Sequence, residues 1–123
     1  MNHMLTWCEI PVTDIKRAKA FYSEVLDVSF VDEEMDGFQM AMFDTEPEII
    51  SGALVKGENY VPSKTSVVVY LNGGANLAPA LSRAESLGSE VLWPKTPIKD
   101  GEAGYFAQFV DSEGNRVGLY SLS

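Results

Sequence analysis

One cysteine, one histidine, and nine basic residues set against eighteen acidic ones are the shortages of this 123-residue chain. Each excludes something. Cys8 alone cannot close an internal disulfide, so the fold must rest on packing, and a reducing cytoplasm is the expected compartment. His3 is the only imidazole and lies near an end expected to fray, where it is read as solvated. A net charge of −9 repels phosphate backbones and anionic lipid, which argues against nucleic acid or a membrane surface as partner. No apolar run approaches the ~20 residues a membrane-spanning helix needs, and the N-terminal residues are not expected to form a secretory leader.

The chain does have apolar residues, at 46%, enough to build a core unaided, and its length fits one domain, residues 1–123. Residues 5–12 alternate, with Cys8, Ile10 and Val12 on one face and Trp7 and Glu9 on the other, the period of a strand between two environments. A helix is expected over 14–26: Asp14 can cap it, and Ile15, Ala18, Tyr22, Val25 and Leu26 recur at spacings of three and four. Three strands should follow at 28–33, 38–43 and 49–56, divided by Asp36-Gly37 and by the segment 45–48.

The second half repeats this order. Residues 65–71 are rich in valine and read as a buried strand; Leu77, Leu81, Ala84 and Leu87 form a helical stripe closed by Gly88, with Pro79 in the first turn. Strands are then expected at 90–93, 105–110 and 116–121, the last two joined by the turn residues 112–115. The longest expected loop, 94–104, carries two prolines and two glycines and is of a length to fold over a bound molecule. The predicted class is α+β: two βαβββ modules, about 1–58 and 64–123, joined by a linker that contains Pro62.

Several segments in this order resemble the vicinal oxygen chelate superfamily, which includes glyoxalases, bleomycin resistance proteins and extradiol dioxygenases. They are Ile10-Pro11-Val12-Thr13-Asp14 leading to Phe21-Tyr22 and Val25-Leu26, the strand 66–71, and 109–119 with its Asp111-Ser112-Glu113-Gly114-Asn115 turn. Asp27 stands where the family usually places a helix-ending glycine, so that cap is expected to be strained or built differently. The resemblance implies curved mixed sheets around a cleft, with one His, Gln or Glu metal ligand on each of four strands in the metal-dependent members. Those positions correspond here to Trp7, the neighbourhood of Gly52, Ser66 and Gly118. Tryptophan and glycine side chains offer a divalent ion no lone pairs, so no metal ligand and no cofactor are expected.

By alternation the cleft face should carry Trp7 and Glu9; Gly52 and Leu54; Ser66, Val68 and Tyr70; and Arg116, Gly118 and Tyr120. Strand 38–43 adds either Phe38, Met40 and Met42 or Gln39 and Ala41. Aromatic faces, an arginine fork and a carboxylate suit an organic ligand, although Trp7 and Tyr70 equally fit the role of core filling. Glu9 and Arg116 are read either as a salt bridge with each other or as ligand contacts, and Cys8 as inert beneath the helix. The expected function is binding of a small organic molecule. The alternative implied by the resemblance is a glyoxalase-type lyase or isomerase with Glu9 as proton acceptor and Arg116 stabilising an enolate-like oxygen. Open sheet edges make a homodimer the expected assembly.

Overall fold

In the computed structural model, which describes residues 3–123, the chain forms β1 (Cys8–Pro11), α1 (Ile15–Leu26), β2 (Phe30–Met35), β3 (Phe38–Phe43) and β4 (Gly52–Lys56). It continues with β5 (Val69–Asn72), α2 (Ala78–Ser86), β6 (Val91–Pro97), β7 (Tyr105–Val110) and β8 (Arg116–Ser121). The strands make two four-stranded mixed sheets, ordered β1-β4-β3-β2 and β5-β8-β7-β6. In each, the first strand runs parallel to the last and the other neighbours are antiparallel. Among the described residues no helix is long and apolar enough to cross a membrane.

The apolar stripes of both helices face one core. Ala18, Tyr22 and Val25 of α1 and Leu81 and Ala84 of α2 join Ile10, Leu54, Phe109 and Leu119 from the sheets. Phe21 of α1 reaches across the modules, its ring centroid 6.1 Å from that of Phe109 on β7. Among the described residues no α-helix packs on the opposite face of either sheet, and that leaves the cleft open.

Both ends of α1 are satisfied partly from the second module. Asp14 accepts a hydrogen bond from the Arg17 backbone N–H, the expected N-cap. Glu113, from the β7–β8 turn, completes it by accepting from the backbone N–H groups of Thr13 and Asp14, each at 2.9 Å, and from Arg17 Nε at 2.8 Å. At the other end Arg83 of α2 donates through Nε and Nη2 to the Val25 carbonyl, supplying the cation that the last turn of α1 lacks. Asp27 closes the helix in the left-handed region at φ 55°, where glycine would carry no Cβ penalty.

The same turn buries a polar network. Asp111 Oδ2 accepts from Tyr22 Oη at 2.6 Å and from Asn115 Nδ2 at 3.0 Å, while its Oδ1 accepts from the backbone N–H groups of Glu113 and Asn115. Burial, and then the adjacent Asp111 carboxylate, hold the Tyr22 phenol well above its ordinary range. Asn115 also donates to the Pro11 carbonyl and accepts from the Ser63 N–H, so one turn ties together both modules and their linker.

Glu113 gives the fold a pH dependence with a definite sign. Desolvation opposes its ionisation, but Arg17, the Asp14 and Thr13 amides and the Ser112 hydroxyl outweigh this and draw its pKa from 4.5 to about 2. A depressed carboxyl stabilises the fold above its unfolded pKa and loses that contribution as pH falls towards the folded value. Solvent around the half-exposed Arg17 screens part of the effect, leaving about 1–2 kcal/mol. In urea titrations the parent is expected to lose this stability between pH 4.5 and 2, whereas Glu113→Gln should show a flatter curve there and be weaker at neutral pH. Parallel curves would contradict the assignment.

Several boundaries differ from expectation. Residues 65–68 are not strand: the Arg116 N–H, where β8 begins, is taken by the Ser63 carbonyl, so pairing starts only at Val69 with Val117, and Val67 is 84% exposed. The expected loop 94–104 is largely structured, because β6 runs on to Pro97 and the Tyr120 hydroxyl donates to the Ala103 carbonyl. It is not a free flap.

Candidate functional site

Along the seam between edge strands β1 and β5 lies a cavity of about 740 Å³. Its walls include Trp7 and Glu9 at β1, Tyr60 in the linker, and Val68, Tyr70 and Arg116 at β5 and β8. Trp7 and Tyr70 are 44% and 46% exposed, which speaks against the core-filling role for their rings.

On the β1 wall, Glu9 Oε1 accepts from Tyr60 Oη at 2.6 Å and Oε2 accepts from Trp7 Nε1 at 3.3 Å. The hydrogen bond to Glu9 raises the Tyr60 phenol above its usual range. Phe38 meets the Tyr60 ring edge-on at 5.5 Å and supports it from outside the cavity lining. On the opposite wall, Arg116 Nη1 donates to Gln108 Oε1 at 3.2 Å and Gln108 Nε2 donates to Tyr70 Oη at 2.7 Å. Arg116 Nε is buried with no hydrogen-bond partner. Glu9 and Arg116 form no ion pair with each other, nor with any other described residue.

Trp7, Glu9, Ser66, Val68, Tyr70 and Arg116 line the cavity, Ser66 from a bend outside β5. Gly118 lies beneath Tyr70: the two residues are cross-strand partners, and a Cβ on Gly118 would overlap the Tyr70 ring. Tyr120 shares that sheet face, yet its hydroxyl is engaged by Ala103 away from the cavity. Gly52 and Leu54 require correction. Leu54 pairs with Ile10 and Ala41 and is fully buried on the helix side, and Gly52 shares that face as the partner of Cys8. The cleft-side residues of β4 are Ala53 and Val55, whose partners Met42 and Met40 settle that Phe38, Met40 and Met42 face outward from the core. Burial, and then the Glu9 charge, raise the Cys8 thiol pKa, which disfavours the reactive thiolate.

The metal-ligand positions implied by the resemblance fall on Trp7, on the neighbourhood of Gly52, where the cleft-side residues are Ala53 and Val55, and on Ser66 and Gly118, and this donor set does not fit a divalent ion. A longer side chain at Gly118 would also have to displace the Tyr70 ring, which lies where its Cβ would be. Among the described residues no three His, Cys, Asp or Glu side chains converge as a ligand group.

Tyr60 and Gln108 escaped the sequence reading. Gln108 left a faint signal as the one amide within the apolar strand Tyr105–Val110. Tyr60 left none, because a linker has no period from which to infer a direction.

Among solved structures, a glyoxylase/bleomycin resistance protein/dioxygenase domain from Frankia sp. EAN1pec aligns at TM-score 0.73 with 14% identity, covering 98% of both chains. Glyoxalase I of Leishmania major aligns at TM-score 0.73 with 14% identity over 98% of this chain and 88% of its own. The antibiotic binding protein TnmS3 from Streptomyces sp. CB03234 aligns at TM-score 0.66 with 20% identity over 100% and 98%. At these identities the likeness establishes the fold. No curated protein matches the sequence. The family model described as Glyoxalase/Bleomycin resistance protein/Dioxygenase superfamily matches residues 2–119, and the chain belongs to that superfamily.

Proposed function

We propose that this protein binds a small organic molecule in the seam cavity and does so without the divalent ion of its metal-dependent relatives. The observation that carries the reading is the pairing of half-exposed Trp7 and Tyr70 rings with a cavity of about 740 Å³, within the range of small-molecule sites. Likeness to an antibiotic binding protein of nearly equal length adds support. The alternative, a glyoxalase-type lyase, draws support from the likeness to glyoxalase I, and in it Glu9 would accept the proton. Glu9 already receives two hydrogen bonds and stands apart from Arg116, an arrangement better suited to holding a ligand than to relaying protons.

The test is titration of aromatic compounds against the tryptophan fluorescence of the apoprotein, followed by recovery and mass analysis of the ligand. Binding of one molecule per cavity, unchanged ligand, and at least about tenfold weaker binding by Trp7→Ala are expected. Turnover of an α-ketoaldehyde thiol adduct by metal-loaded protein would instead support the lyase. A second copy of the chain is the assembly this reading favours, because Val31, Met35 and Trp93 remain exposed on the two sheets.

A further inference from the structure

The two walls of the cavity differ in the hydrogen-bonding partner they require. Arginine has donors only, so the oxygen of Gln108 must turn towards Arg116 and its NH₂ towards Tyr70. Tyr70 Oη therefore accepts from Gln108, and its own hydrogen is left to donate elsewhere. Together with the guanidinium of Arg116, this wall presents donors and one positive charge that no carboxylate among the described residues neutralises. Arg116 Nε is itself buried without a hydrogen-bond partner, so the hydrogen-bonding capacity of the guanidinium is incompletely used.

The β1 wall is the reverse. Glu9 has carboxylate lone pairs beyond the two engaged by Tyr60 and Trp7, and among the described residues no cation reaches it within ion-pairing distance. Aromatic rings beside a carboxylate favour an organic ammonium, through their negative faces as well as through the charge. Two opposite charges thus line one cavity without meeting each other, and a ligand with complementary ends would satisfy both.

We propose that the cavity takes a small organic zwitterion, its ammonium held by Glu9 between Trp7 and Tyr60 and its carboxylate held by Arg116 and the Tyr70 hydroxyl. This rests on the binding function proposed above. The test uses 4-(aminomethyl)benzoate and 4′-(aminomethyl)biphenyl-4-carboxylate, two lengths of the same two-ended design. Each is compared by calorimetry with its amine-only, acid-only and neutral hydrocarbon counterparts. At least one two-ended probe should bind about tenfold or more tightly than each counterpart, a gain that falls with added salt. Glu9→Gln should abolish its advantage over the acid-only probe, and Arg116→Gln its advantage over the amine-only probe. The comparison on the parent protein stands even if a variant folds poorly. Neutral or one-ended probes binding as tightly would overturn this inference and leave the binding function standing; no binding by any probe would overturn both.

Discussion

Replacing Asp111 by alanine is expected to destabilise the protein by about 3–5 kcal/mol, from the cost of breaking a buried hydrogen-bonded network. Four donors converge on this carboxylate: the Tyr22 hydroxyl, the Asn115 amide and two backbone N–H groups. Tyr22 is fully buried and Asp111 only 6% exposed, so water is poorly placed to replace the lost partner. Against a typical domain stability of about 5–15 kcal/mol, such a loss brings the chain near its unfolding threshold. Tyr22→Phe serves as the control, expected to cost about 1–1.5 kcal/mol because the carboxylate keeps its other donors. Urea unfolding of the three proteins measures the difference. A loss below about 1 kcal/mol for Asp111→Ala would show that the turn does not hold the modules together as argued.

The second large effect is expected at Gly52. A Cβ there would overlap the Cys8 carbonyl oxygen, a backbone atom of the neighbouring strand that no rotamer change can move. Gly52→Ala should therefore cost about 3 kcal/mol, at the upper end for overpacking, and should disturb the parallel pairing of β1 with β4. Because β1 carries Glu9 and adjoins Trp7, ligand binding should weaken together with stability. Gly118→Ala is the contrasting variant: its added methyl meets a half-exposed Tyr70 ring that can swing aside. There the expected stability cost is below about 1 kcal/mol, while binding falls as Tyr70 leaves Gln108. Equal stability losses in the two variants would contradict the distinction between backbone and side-chain contact.

The elements legible in the sequence were those with a clear period and firm punctuation. The stripe of α1 and its Asp14 cap were readable, as were the bounds of Phe38–Phe43, Tyr105–Val110 and Arg116–Ser121, each set off by turn residues. The faces of β4 were not. Gly52, Ala53, Leu54 and Val55 are all buried, so the strand has no alternation to read, and only its register against Ile10 and Ala41 reveals which way Leu54 points. The strand expected at 65–71 was overestimated because valine content reports β propensity while a neighbouring linker decides where pairing begins. Within the site, Trp7, Glu9, Tyr70 and Arg116 could be nominated by parity alone. Their hydrogen-bonded partners Tyr60 and Gln108 depend on tertiary placement, as does the capping of α1 by Glu113 from 99 residues away.

Gly118 stands where a metal-dependent relative would have a carboxylate, and the space this opens is filled by Tyr70, itself oriented by Gln108 and Arg116. A hydrogen-bonded relay thus covers the position to which the family resemblance would assign a metal ligand. Elemental analysis of untagged protein, incubated with nickel, zinc, manganese and iron and then desalted, tests this most directly. No stoichiometric metal of any kind is expected; about one tightly held ion per chain would contradict this reading and return the lyase chemistry to the seam cavity.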